Sequence, residues 1–300
     1  MLKEDIDRVQ RMAESHAALM QVQGQTIPQL ATLEFNLSGI CNRRCSFCPR
    51  VDPKAFPNVK EYLSLALYTK IMEDLRAIEA SPLIIFSAFS EPLIHPQMME
   101  LVSITKAIRP NAQLEIKTNG DLLTTAKLAE LFRRGLDYLL VSLYDGPGSE
   151  KKFETMRQEV GLTSEQMILR VRYWTEEHGW NLNLSNRAGT VGAEFKETLA
   201  ISEPLKRQCY YPFMTMMIDY NGDVLLCPHD WGKKLLNGNL KQLSVLEAWT
   251  STCLHGVRAK LRQADRNFAP CNVCNVDGTL TGRKSFEQWV AYYDGTPRPT

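Results

Sequence analysis

No stretch of this 300-residue chain approaches eighteen uninterrupted apolar residues, and acids and glutamines interrupt the apolar positions of its N-terminus. Neither a membrane span nor an export signal is expected, and the chain reads as cytoplasmic. A dominant charge is lacking too. The 35 basic and 34 acidic residues leave +1 at pH 7, which gives no overall pull toward nucleic acid or an anionic membrane. Repeats and low-complexity tracts are absent. What remains, at 44% hydrophobic residues, can bury a large core, so specificity must reside in a site. Cysteine breaks the plainness. The eight thiols at positions 41, 45, 48, 209, 227, 253, 271 and 274 read, in a reducing compartment, as metal ligands or catalytic groups sooner than as disulfides.

Hydrophobic period then organises the chain. Residues 2–22 have an amphipathic helical pattern, and after the breaker Pro28 the alternation "LATLEFNL" predicts a strand that ends just before Cys41. Helical patterns near 66–79, 95–108 and 123–134 alternate with "LIIFS", "QLEIKTN" and "YLLVSLY", and "ILRVRYW" and "NLNLSN" follow. Strand–helix alternation of this kind implies an α/β fold, a parallel sheet of up to six β/α units curled into a partial barrel, with chemistry at the strand C-terminal ends. Beyond Cys209 the texture changes: "TMMIDYNGDVLLCP" predicts a hairpin with an Asn-Gly turn, and a long helix near 243–263 leads into "CNVC". The expected division is a helical extension over 1–30, the barrel over 31–200 and a small module over 201–300.

The loop after the first barrel strand, "GICNRRCSFCPRV", spaces Cys41, Cys45 and Cys48 as C-x3-C-x2-C. Zinc would want a fourth protein ligand nearby, and none is adjacent. A cubane iron–sulfur cluster held by three cysteines keeps one iron open to a small molecule. This spacing, with Phe47 before the last cysteine, resembles the signature of the radical S-adenosylmethionine (radical SAM) superfamily. The resemblance extends over about residues 32–195. "AFSEPLIHP" is similar to the stretch that holds the methionine amine, with Ser90 and Glu91, although its glycines are missing; "KTNG" resembles the ribose-contacting segment, with Thr118 and Asn119. Ser142 in "VSLYDG" and Arg157 in "FETMR" would face the methionine carboxylate. The resemblance implies S-adenosylmethionine as cofactor, a reductant such as flavodoxin or ferredoxin, and cleavage to a 5′-deoxyadenosyl radical that abstracts hydrogen from a substrate C–H bond.

The second module spaces Cys209, Gly222 and Cys227 as C-x12-G-x4-C, followed by Cys271 and Cys274. By spacing alone a four-cysteine zinc ribbon also fits. The pattern is similar to the opening of the auxiliary-cluster module called SPASM, and because no cysteine follows Cys274 it resembles the shortened "twitch" form. That implies a second [4Fe-4S] cluster with every iron held. Cys253 is left over. Spaced four from Trp249 and from Val257, it is expected on an apolar helical face. Its ordinary role there is core filling; by resemblance to radical SAM epimerases it would instead donate hydrogen to a substrate radical, and epimerisation of an aminoglycoside-type stereocentre is the expected activity. The alternatives are a radical SAM dehydrogenase of an aminocyclitol, with Arg187 in "SNRAG" handling the hydroxyl, and a peptide-modifying enzyme. No leader-capture module or basic stripe is evident, so the expected substrate is a small polar molecule; Asp145 and Asp230 either meet its ammonium groups or serve as turn residues.

Overall fold

The computed structural model describes residues 3–172 and 185–295. The N-terminal helix runs over Lys3–His16 and stops short of the expected residue 22. The chain turns at Gln23-Gly24, both in the left-handed region, and pairs β1 (Leu19–Val22) with β2 (Gln25–Pro28) in a tight hairpin. A glycine at the second position of a two-residue turn is the local signal that outweighs helical period there.

The main sheet begins with β3 (Thr32–Phe35). A short pair, β4 (Ser38–Gly39) with β5 (Val59–Tyr62), brackets the first cysteine loop. β6 (Leu83–Phe86), β7 (Leu114–Thr118), β8 (Tyr138–Leu143) and β9 (Met167–Val171) then add in parallel beside β3. The expected strand "NLNLSN" falls largely outside the described residues. β10 (Thr215–Ile218) joins the opposite edge, parallel to β3, and is extended by antiparallel β11 (Asp223–Leu225) and β12 (Leu236–Asn239). The result is one eight-stranded sheet ordered β12-β11-β10-β3-β6-β7-β8-β9. The hairpin of the second module thus continues the barrel sheet.

Register assigns the two faces. Partners across a parallel ladder share a face, so Phe35 and Phe86 point together toward the helix Leu65–Ala77, where Tyr68 meets both rings edge-on at 5.2 and 5.7 Å. Each such fully buried apolar side chain contributes on the order of 1.5–3 kcal/mol. The helices start where side chains cap them: Ser64 accepts from the amide of Leu67, and Thr124 from that of Lys127. The opposite, concave face carries Met217, Glu34, Ile85, Glu115 and Tyr138 in one row, and Asn36, Ser87, Lys117 and Leu140 one step nearer the strand ends. A strand read as simple alternation therefore turns charged side chains inward.

The long helix expected over 243–263 is two, Val245–Trp249 and Thr252–Arg262. Ser244 forms a capping box with Glu247, and Ser251 caps the second helix by accepting from the Leu254 amide. A further helix, Arg283–Asp294, packs beside them and has no counterpart in the sequence reading. Among the described residues, no helix is long and apolar enough to cross a membrane.

Candidate active site

The first cysteine loop is held over the C-terminal ends of β3, β6, β7 and β8 by side chains to either side of it. The amide of Cys41 donates to Asn58 Oδ1 at 3.0 Å, and Arg50, buried, donates to Asn58 and to the carbonyl of Phe89. Arg43 bridges Asp121, after β7, and Asp145, after β8. These two carboxylates hold its guanidinium well above the usual range, and Arg43 in turn keeps the Asp145 carboxyl below its usual value. Asp145 is thus the partner of Arg43, and the expected contact with a substrate ammonium is not what it makes. Phe47 stacks near Tyr144, with centroids 5.8 Å apart. Burial and the neighbouring sulfurs push the Cys45 thiol up to about 12.

Glu91, Thr118 and Asn119 come together. The buried Glu91 carboxylate accepts from Thr118 Oγ1 (2.6 Å), the Asn119 amide (2.8 Å) and the Leu93 amide (3.0 Å), while burial pushes its carboxyl up. Three internal donors leave it one of about four acceptor positions. Ser90 donates to Asn36 Oδ1 (2.6 Å), whose amide donates to the buried Asp219 (2.7 Å), itself paired with Lys233. The cofactor-side segment is thereby tied to the hairpin turn of the second module. Ser142 lies on the concave face, 3.4 Å from Arg170 on β9. Arg157 does not join them. It binds the carbonyl of Met167, the first residue of β9, and Glu154, which places it at the opposite end of the strands. The correction follows from direction: ten residues into the helix that runs back from β8, the chain has returned to the barrel base.

The second cysteine group is drawn together by one residue the sequence reading missed. The buried Arg266 donates to the carbonyls of Arg207 (2.8 Å), Gln208 (2.7 Å), Val276 (2.7 Å) and Asp277 (2.7 Å). It stitches the segment before Cys209 to the segment after Cys274. Burial and neighbouring thiols push Cys227 and Cys271 up, and burial raises Cys209 to about 11. A Cβ on Gly278 would sit 2.7 Å from the Cys209 sulfur, so the chain there is shaped around the thiol. Among the described residues, no three Cys, His, Asp or Glu side chains converge on a single-ion site. Two groups of half-buried thiols, three and four, each flanked by guanidinium groups, are the donor chemistry of two iron–sulfur clusters, whose ligands bind separate irons. The residues present fit these groups: Cys41, Cys45 and Cys48 for the first, and Cys209, Cys227, Cys271 and Cys274 for the second.

A strap of residues 185–192 connects the two groups. Asn186 exchanges hydrogen bonds with Asn275 and donates to the carbonyl of Val273 at 2.6 Å, which anchors one end beside Cys274. At the other end, a Cβ on Gly192 would lie 1.9 Å from the carbonyl oxygen of Ser46. Between them Arg187, Ala188 and Gly189 are all left-handed, which costs about 1–2 kcal/mol at each non-glycine residue. The guanidinium of Arg187 acts electrostatically on Cys48, Cys274, Glu34 and His229. Burial and this arginine lower His229 to about 3, so its imidazole is neutral.

Asp230 and Cys253 lie elsewhere in function or in space. Buried Asp230 caps its own turn, accepting from the amides of Lys234 and Leu235. Cys253 is exposed. Its helix is anchored by Arg258 to the carbonyls of Pro212 and Trp249, and Trp249 donates to that of Pro28, all toward the N-terminal ends of β3 and β10. Exposure excludes core filling. The break at Thr250–Ser251 resets the helical phase, so the spacing from Trp249 no longer predicts a face.

Residues 35–170 match the radical SAM superfamily, and residues 209–275 match the SPASM iron-sulfur cluster-binding domain. This chain is a radical SAM enzyme with a SPASM domain. It is 25% identical over 244 residues (81% of this chain, 92% of the relative) to an S-adenosyl-L-methionine-dependent 2-deoxy-scyllo-inosamine dehydrogenase of Niallia circulans. Over a shorter span of 105 residues, 35% of this chain and 28% of the other, it is 31% identical to a PqqA peptide cyclase of Gluconobacter oxydans. The crystal structure of BtrN in complex with AdoMet and 2-DOIA superposes with a TM-score of 0.69 at 25% identity, covering 84% of this chain and 96% of that one. Native anSMEcpe with bound AdoMet, 12% identical, shares the fold at a TM-score of 0.53, covering 88% and 97% of the two chains. The radical SAM enzyme uses S-adenosylmethionine and [4Fe-4S] clusters. The expected epimerase finds no support in these relatives, which favour the dehydrogenase alternative.

Proposed function

We propose that this radical SAM enzyme oxidises a secondary alcohol of a small, amine-bearing cyclic polyol to the ketone. The observation that carries the reading is the strap, pinned by Asn186 beside Cys274 and by Gly192 against Ser46 with Arg187 between these ends, while Cys253 stands exposed on a helix anchored near the strand N-terminal ends. When bound, S-adenosylmethionine and the first cluster supply a hydrogen-abstracting equivalent and the second cluster an electron acceptor, so the alcohol loses a hydrogen atom, a proton and an electron. Arg187 holds the hydroxyl oxygen and stabilises its negative charge as the proton passes to solvent water; a guanidinium cannot itself be the base. Ser142 and Arg170 hold the methionine carboxylate, and Glu91 orients the segment beside the amine. Phe47 and Tyr144 keep water from the first cysteine loop. Similarity to the inosamine dehydrogenase supports the substrate class.

Anaerobic incubation of the reconstituted enzyme with dithionite, S-adenosylmethionine and 2-deoxy-scyllo-inosamine tests it. The expected product is two hydrogens lighter than the substrate, appears one for one with 5′-deoxyadenosine, carries no deuterium from D2O, and forms equally in Cys253→Ser. An isobaric product with one deuterium, lost in Cys253→Ser, would restore the epimerase.

A further inference from the structure

The concave face holds two buried carboxylates in one row, Glu34 and Glu115, with Ile85 between them, and they are not equivalent. Glu115 has two cations: Arg8 from the N-terminal helix, which also lies over the Tyr138 ring at 5.6 Å, and Lys117 at 3.4 Å. Burial alone would raise its carboxyl, but these cations outweigh it and the net shift is downward. Glu34 has no such company. Its hydrogen bond is with Ser87, and among the described residues no cation stands within ion-pair distance of it. Lys117 and Arg187 act on it only from farther away, and burial pushes its carboxyl up.

Burying a carboxylate without a paired cation costs several kcal/mol. A cation brought by a ligand would offset that cost. Glu34 stands on the concave face two residues before Asn36, whose side chain binds Ser90 and Asp219 at the strand ends, so Glu34 borders the space in which the reacting alcohol would lie. Resting on the proposed function above, we infer that Glu34 binds the ammonium group of the substrate and makes the enzyme selective for aminocyclitols over neutral cyclitols. With the hydroxyl at Arg187 and the amine at Glu34, the ring is held at two points, which fixes the carbon presented for hydrogen abstraction.

Calorimetric binding to the anaerobically loaded enzyme tests this without turnover, using 2-deoxy-scyllo-inosamine and the same ring with a hydroxyl in place of the amine. The parent is expected to prefer the amine by about 100-fold, the scale of a desolvated charge pair, and Glu34→Gln to lose that preference while binding the neutral ring as before. Iron content and S-adenosylmethionine affinity should not change, and Glu34→Asp should keep most of the selectivity. Equal binding of the two rings by the parent, or undiminished selectivity in Glu34→Gln, overturns the inference. So does loss of iron in Glu34→Gln, which would make Glu34 a structural residue. Amine selectivity that tracks Glu34 in an enzyme yielding no ketone would support Glu34 as the anchor and overturn the dehydrogenase reading alone.

Discussion

Arg266 and Arg170 show what a single side chain does here that its sequence context conceals. Arg266 spends four of its five N–H donors on main-chain carbonyls either side of the second cysteine group. Arg266→Ala strands those carbonyls, at a cost of about 2–4 kcal/mol where water cannot replace the donor. The enzyme should then load about four irons in place of eight and keep the spectrum of the first cluster; a full iron count would show that Cys209 and Cys274 hold position without it. Arg170 and Arg157 form a second contrast. In the proposed site Arg170→Ala would remove a charged hydrogen bond to the methionine carboxylate and should weaken S-adenosylmethionine binding about 10- to 150-fold. Arg157→Ala should leave that affinity unchanged and cost about 1 kcal/mol in thermal unfolding, because its contacts are Met167 and an exposed Glu154. Equal losses in the two variants would mean that Arg170 does not reach the cofactor.

At the scale of elements, the strap of residues 185–192 and the cysteine loops depend on close backbone approach. Gly192 presses on Ser46 and Gly278 on the Cys209 sulfur. The two alanine variants should therefore separate the clusters: Gly192→Ala displaces the first loop and should lose the first cluster's electronic spectrum, and Gly278→Ala, strained also by its left-handed backbone, should lose the second. If either variant loads both clusters fully, the close approach at that glycine does not set ligand geometry. Period and cysteine spacing made most of these elements legible, since β6, β7 and β8 fall on apolar runs bounded by helical patterns. Three features stayed hidden for physical reasons. The β1–β2 hairpin sits inside a helical period, the Ser251 cap interrupts one, and Glu34, Glu115 and Lys117 look like the outward positions of alternating strands. Charge on a strand covered on one face by helices is the signal that could have marked the last as lining a site.

At the scale of the molecule, the ladder between β3 and β10 decides how the two domains stand to each other. Four residue pairs, Thr215 with Thr32 through Ile218 with Phe35, splice the SPASM hairpin onto the first barrel strand. The Ser90–Asn36–Asp219 chain ties the same junction at the strand ends, and the contact of Trp249 with Pro28 ties it at the base. Cutting the chain after residue 200 would leave β3 as an open edge, bare one side of a buried row and expose the apolar surface that Met216, Ile218 and Phe213 cover. The barrel should then not fold as an independent unit. Differential scanning calorimetry of the anaerobically loaded enzyme should give one cooperative transition, and Cys271→Ala/Cys274→Ala, which destabilises the second module, should lower that transition as a whole by several degrees. Two separated transitions, or a 1–200 fragment that remains monomeric and binds S-adenosylmethionine with the parent's affinity, would show that the continuous sheet does not couple the domains. Under the proposed function the coupling bears on chemistry, because Arg187 would have to be held from both cysteine groups at once. A molecule whose halves opened independently would let that guanidinium drift from one of them, and the strain at Arg187 and Ala188 is sustained only while both ends of the strap are pinned.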